Sequence, residues 1–180
     1  MFVTEKNPRD VPICTFIGLS LVLVFILFNA QVINAIPCGN NIHEVFMSNF
    51  VHIDLTHLMY NLYALYALSR VEKEMGFRSF IWLFIFLLFF NTLAEYGAKK
   101  IWVDLKCSIG FSGVLFGMMT WELLTKNKFD MTLFVAIVIM VIFPSLNNKK
   151  ISLRGHAIGA ISGIIGGILW KILNDKRGKL

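Results

Sequence analysis

The sequence predicts an all-α polytopic membrane protein, a bundle of six transmembrane helices with both termini cytoplasmic, and three observations carry that expectation. Hydrophobic residues make up 57% of the 180 residues and charged residues 16%, with a mean hydropathy of +0.69; these proportions are far from those of soluble domains. The apolar residues fall into six runs joined by short polar connections, with no stretch that reads as a separate soluble domain or a long linker. Lys and Arg gather at the ends of those runs, so the net charge of +6 reads as membrane orientation rather than nucleic-acid binding. One domain is therefore expected over residues 1–180, integral to a membrane and multi-pass, with the lipid bilayer as a partner.

The first span, 13–36, follows a polar start carrying Lys6 and Arg9. It is longer than a signal-peptide core of about 7 to 15 apolar residues. A short connection at 37–49 holds His43, read as solvated. The second span covers 55–71 and the third 80–96. The fourth runs over 111–124, the fifth, the shortest, over 131–143, and the sixth over 156–173. An even number of spans returns the chain to its starting side. With the N-terminus inside, Lys6, Arg9, Arg70, Lys73, Arg78, Lys126, Lys128, Lys171, Lys176, Arg177 and Lys179 lie on the inner side. Lys99, Lys100, Lys106, Lys149, Lys150 and Arg154 lie outside, the bias that positive-inside orientation requires. Trp82, Trp121 and Trp170 also fall at inner ends, where amphipathic rings favour the interface, and only Trp102 falls outside.

Spans two, four and six all run inward, so their first residues share the outer face. Those residues are His57 with Asn61, the turn Gly110-Phe111-Ser112-Gly113, and His156. A hydroxyl, imidazoles and neutral donors are the parts of acyl transfer, and hydrocarbon is a costly place to keep them. Counting back from Lys126, Ser112 stands about 21 Å up a helix in a core about 30 Å thick, so it lies below the outer surface. Backbone that is not yet helical at that depth must be buried in protein or line a water-filled cavity. Such a cavity would supply the water a hydrolase needs.

Gly110 and Gly113 suit a sharp turn into a helix whose unpaired N–H groups could stabilise an oxyanion, although the serine could equally be an N-cap. The tetrapeptide is not the soluble-hydrolase GxSxG elbow, because Val114 stands where that motif ends in glycine. Gly113 and Gly117 on the fourth span, and Gly155, Gly159, Gly163 and Gly167 on the sixth, recur every four residues and make smooth faces for close backbone approach. Those faces could serve a homodimer. Packed within one chain, they would bring Ser112 and His156 together. His57 and Asn61, four apart, share a helix face and could bond neighbouring helices or donate to an oxyanion. His52 is expected to point elsewhere and serve structure. Its five-residue spacing to His57 is poor for metal binding, and Cys14, Cys38 and Cys107 show no CxxC spacing. No metal or cofactor is expected, and a Cys38–Cys107 pair at the outer side stays open.

Taken jointly, these residues resemble the rhomboid intramembrane serine proteases in their minimal six-helix form. The resemblance rests on His52, His57 and Asn61; on Gly110, Phe111, Ser112 and Gly113 with Gly117; and on Gly155 and His156 with Gly159 and Gly163. Val71-Glu72-Lys73 followed by Gly76 adds to it, and the match covers about residues 50–173. It implies that Ser112 is the nucleophile and His156 the general base and acid of a dyad. It also implies an oxyanion hole of His57, Asn61 and the Ser112 N–H, and Phe116 stacked on the histidine. The implied substrates are transmembrane proteins cut near the outer end of their membrane segment. The 37–49 connection is short and lacks the Trp-Arg pair of many relatives, Phe116 replaces a frequent tyrosine, and Gly155 a frequent alanine. The fifth span and the loop at 147–150 are expected to form the gate for substrate. The rival reading within this resemblance is a derlin-type adaptor that binds client helices without cutting them, which need not keep both Ser112 and His156. A channel would need more polar residues in spans three and five than Asn91 provides.

Overall fold

The computed structural model describes residues 10–33, 41–102, 108–126, 128–147 and 153–177, with side chains described up to 142 and 173 in the last two segments. Cys38 and Cys107 fall outside the described residues, as does most of the loop at 147–150. The elements are α1 (Pro12–Asn29), α2 (Ile42–Ser48), α3 (Leu55–Met75), α4 (Phe77–Ile101), α5 (Ser112–Thr125), α6 (Met131–Asn147) and α7 (Leu153–Arg177). Three of them, α1, α4 and α7, are long and apolar enough to cross a membrane by length and composition, and Met131–Ile142 is a shorter apolar stretch.

The helices match the six apolar runs, with differences at their ends. α1 stops at Asn29 rather than at 36, because Gln31 takes a positive φ of 58° and the Val32 and Ile33 N–H groups turn back onto the Leu27 carbonyl. This closes the last turn as a left-handed C-terminal residue commonly does. The 37–49 connection contains a helix that the sequence does not announce, α2, only seven residues long. α7 begins a turn earlier than 156, so His156 sits inside its first turn.

α5 is the hub: it packs on α3, α4, α6 and most extensively on α7, and Gly113 through Glu122 are all buried. A short helix apolar on every side is stable only when enclosed in this way. The contact with α7 is backbone on backbone. A Cβ at Gly159 would overlap the Gly113 carbonyl, and one at Gly163 would overlap the Gly117 carbonyl and the Thr120 hydroxyl. Thr120 Oγ1 also donates across the contact to the Ala160 carbonyl at 2.8 Å. The glycine face of α7 is thus filled from within the chain. Trp121 and Trp170, placed by sequence at one end of the bundle, meet edge-on with ring centroids 5.7 Å apart.

Two buried carboxylates fix the end of the bundle opposite Ser112. Val11 offers α1 no side-chain cap; instead Glu72 of α3, 1% exposed, accepts the Ile13 and Cys14 N–H groups at 2.8 Å each. A carboxylate at a helix N-terminus satisfies orphan donors and complements the helix dipole. Glu122 of α5 takes a forked bond from Arg70 of α3 at 2.8 and 2.9 Å and a further ion pair from Lys126 at 3.0 Å. Lys126 reaches on to Asp130 at 3.1 Å, and Asp130 caps α6 by accepting the Leu133 N–H at 3.0 Å. That backbone donor first, and the Lys126 ammonium after it, hold the Asp130 carboxyl below its ordinary value.

Candidate active site

The first turns of α3, α5 and α7 meet at a cavity of about 190 Å³ whose lining includes His57, Ser112 and His156. Ser112 arrives there through Gly110, whose φ of 108° is closed to ordinary side chains and whose N–H bonds the Ser48 carbonyl at 2.9 Å. Phe111, fully buried, pins the turn between Phe50 and Phe84, at 6.0 and 6.2 Å between ring centroids. Ser112 is the first helical residue rather than the cap, which is Phe111, and no side chain caps α5. The N-cap role is therefore not the serine's. The first N–H groups of α5 have no intrahelical acceptor, so the turn presents a hydroxyl beside backbone donors that the helix itself does not use.

His57 is held from below by Asp54, the N-cap of α3, which accepts its N–H at 2.8 Å. Its ring lies against Gly110 so closely that a Cβ there would stand 2.5 Å from Cε1 and 2.8 Å from Nε2. His52 does not point elsewhere: it is fully buried and meets the His57 ring edge-on at 5.0 Å. The helical spacing argument fails for it because His52 precedes α3. Among the described residues no third ligand joins the two imidazoles into a metal-binding group.

Asn61 lies a turn further along α3, 3% exposed, and its amide donates to the His57 carbonyl at 2.9 Å. It is not part of the cavity lining; the amides that line it are Asn49 and, from α4, Asn91. Asn91 donates to Asn49 at 3.0 Å, and a Cβ on Gly113 would come within 2.8 Å of its amide nitrogen.

His156 is 7% exposed, and Phe116, one turn beyond Ser112, lies against its ring with centroids 4.5 Å apart. Its Nδ1 is sealed without a partner. Ser112 and His156 face one cavity, and among the described residues no hydrogen bond joins them. Gly117, Gly159 and Gly163 lie below, in the α5–α7 contact that sets the spacing of these two side chains.

The sequence reading did not single out the cluster beside them. Glu95, 5% exposed, accepts Arg154 Nε at 3.1 Å and the Ser108 hydroxyl at 2.9 Å. Arg154 also donates to Ser108 at 3.2 Å, and Gly155 lies against both Glu95 and Ser108. The available signal was the four-residue spacing of Asn91 and Glu95, which puts two polar groups on one face of an apolar helix.

The family model for the Rhomboid domain matches residues 39–172. A putative rhomboid protein, L523 of Acanthamoeba polyphaga mimivirus, is 31% identical over 164 residues, covering 88% of this chain and 91% of its own. Rhomboid-like protein 15 of Arabidopsis thaliana is 26% identical over 150 residues, covering 72% of this chain and 37% of that longer protein.

Proposed function

The chain belongs to the rhomboid family, and from that premise we propose that it is an intramembrane serine endopeptidase. It would cleave transmembrane substrates near the outer end of their membrane segment through a Ser112–His156 dyad. The observation that carries this reading is the meeting of three first turns at one cavity, with the Ser112 hydroxyl free of capping duty.

All six long helices serve as spans in this reading, with both termini cytoplasmic. α3, at 21 residues, rises about 32 Å, enough for a core of about 30 Å. α5, at 14 residues, rises only about 21 Å, which leaves its first residue inside the bilayer with the cavity above it.

Ser112 Oγ attacks the substrate carbonyl as its proton passes to His156. Nδ1 is sealed, so Nε2 is the nitrogen that takes the proton and later returns it to the leaving amine. The first α5 N–H groups and the His57 ring stabilise the oxyanion, and Asn61 steadies the turn that carries His57. Water entering the cavity then hydrolyses the acyl-enzyme. The open Ser112–His156 pair closes when substrate is bound, as catalytic hydrogen bonds often do. α6 is the gate: among its described side chains only Ile137 is buried, and lids come from such loosely packed elements.

Labelling of purified protein with a fluorophosphonate, compared with Ser112→Ala and His156→Ala, tests the dyad. The expected result is labelling of the unsubstituted chain only. Labelling that survives Ser112→Ala refutes the nucleophile. An unlabelled parent chain favours the client-binding adaptor, a reading that draws on the open Ser112–His156 pair.

A further inference from the structure

The imidazole of His156 has no carboxylate partner and its Nδ1 is buried without one, so beyond a backbone hydrogen bond at Val141 of α6 what holds its ring relative to Ser112 must act from elsewhere. Phe116 supplies one contact, at 4.5 Å between rings. A ring face, however, fixes the plane of the imidazole and not the position of the helix that carries it.

Along its length that helix is set by the glycine contact with α5, and at its first turn, where His156 stands, it is tied at a single carboxylate. Glu95 is buried, and its two oxygens are divided between two chain segments. Oε1 accepts the Ser108 hydroxyl at 2.9 Å, four residues before Ser112. Oε2 accepts Arg154 at 3.1 Å, two residues before His156. Arg154 closes the triangle by donating to Ser108 at 3.2 Å. Gly155 lets the start of α7 lie directly on the cluster, since a Cβ there would stand 3.2 Å from both Glu95 Oε1 and Ser108 Oγ. The arm leading to the serine and the arm leading to the histidine are therefore tied to one another and to α4 at the same point.

We propose that Glu95 is a positioning residue for the dyad: it sets the registry of Ser112 against His156 by holding their two arms, in place of an acid bonded to the imidazole. This rests on the serine-protease reading for its catalytic consequence, but the registry itself is a statement about distance. Burial gives the node its stiffness, because a charge-assisted bond in a water-poor site is stronger than on a surface and a buried carboxylate left unpaired is costly.

The experiment has two arms on the full-length chain in detergent. In the first, Ser112→Cys and His156→Cys are combined in a chain carrying Cys14→Ser, Cys38→Ser and Cys107→Ser, and the rate of bridging by a short bifunctional thiol reagent is measured. Adding Glu95→Gln or Glu95→Ala is expected to slow bridging about tenfold, and Arg154→Lys, which keeps the charge, to slow it by less than about threefold. Glu122→Gln, which loosens the comparable Arg70 pair at the other end of the bundle, is the control and is expected to leave bridging within about twofold. Bridging unchanged by both Glu95 substitutions, or slowed equally by Glu122→Gln, overturns the inference. In the second arm the catalytic serine is retained, and Glu95→Gln is expected to lower kcat about tenfold or more with KM within about twofold. A parent chain that cleaves nothing while bridging still depends on Glu95 would remove the protease reading and leave the registry standing.

Discussion

Gly110→Ala probes the site most directly, because two independent effects add at one atom. The backbone there has φ 108°, and a residue with a Cβ in the left-handed region is disfavoured by about 1–2 kcal/mol. The new methyl would also stand 2.5 Å from Cε1 and 2.8 Å from Nε2 of His57, where ordinary contact begins at 3.4 Å. The ring must therefore retreat by about 1 Å, at an off-rotamer cost of about 0.5–1.5 kcal/mol. The summed loss of stability is about 1.5–3.5 kcal/mol, measurable as a lowered unfolding midpoint in detergent. A displacement of that size at a catalytic group costs about a hundredfold in rate, so fluorophosphonate labelling should slow by about that factor. In a His57→Ala background the collision disappears, and the same substitution should cost only the backbone part, about 1–2 kcal/mol. Labelling by Gly110→Ala within threefold of the parent chain, or an equal stability cost with and without the His57 ring, would refute the reasoning.

Three further outcomes follow from other parts of the bundle. Glu72→Ala removes both acceptors from the Ile13 and Cys14 N–H groups and should destabilise the chain by about 2–4 kcal/mol in chemical unfolding, with less loss of labelling per folded molecule than Gly110→Ala causes. Phe116→Ala takes the ring from His156 and should slow labelling about tenfold, while Phe116→Tyr should hold it within about threefold. The Asp130 carboxyl is held below its ordinary value by the Leu133 N–H and Lys126. Its contribution is complete above the unfolded-state value and is lost as pH falls through the folded one. Asp130→Asn should therefore flatten the acid side of the stability profile and leave the two chains closest at the lowest pH.

The parts of the fold that repeat were legible, and the parts that pair at a distance were not. The apolar runs, the four-residue glycine ladder and the positions of His57, Ser112 and His156 each leave a periodic trace, and the structure brings all three side chains to one cavity. The Glu95–Arg154 pair spans 59 positions and leaves none. Asn91, read only as a stray polar residue, lines the site because α4 packs beside the start of α5. α2 escaped notice because a seven-residue helix is too short for periodicity to register. His52 was misplaced for a different reason: helical spacing was applied across a boundary that Asp54 marks as an N-cap.

The contact between Gly113 and Gly159 works as a ruler rather than a spring. No side chain lies between the two backbones, so the gap between α5 and α7 is the thickness of a carbonyl, and it has no softer setting to relax into. Bilayers that are thicker, thinner or stiffer act on a bundle through tilt, and a tilt carries both helices together. The lipid-facing surface of α6 and α7, where Val138, Ile139, Ile164 and Ile168 are exposed, can drift in sequence to suit a different membrane without re-spacing the two side chains that the ruler separates.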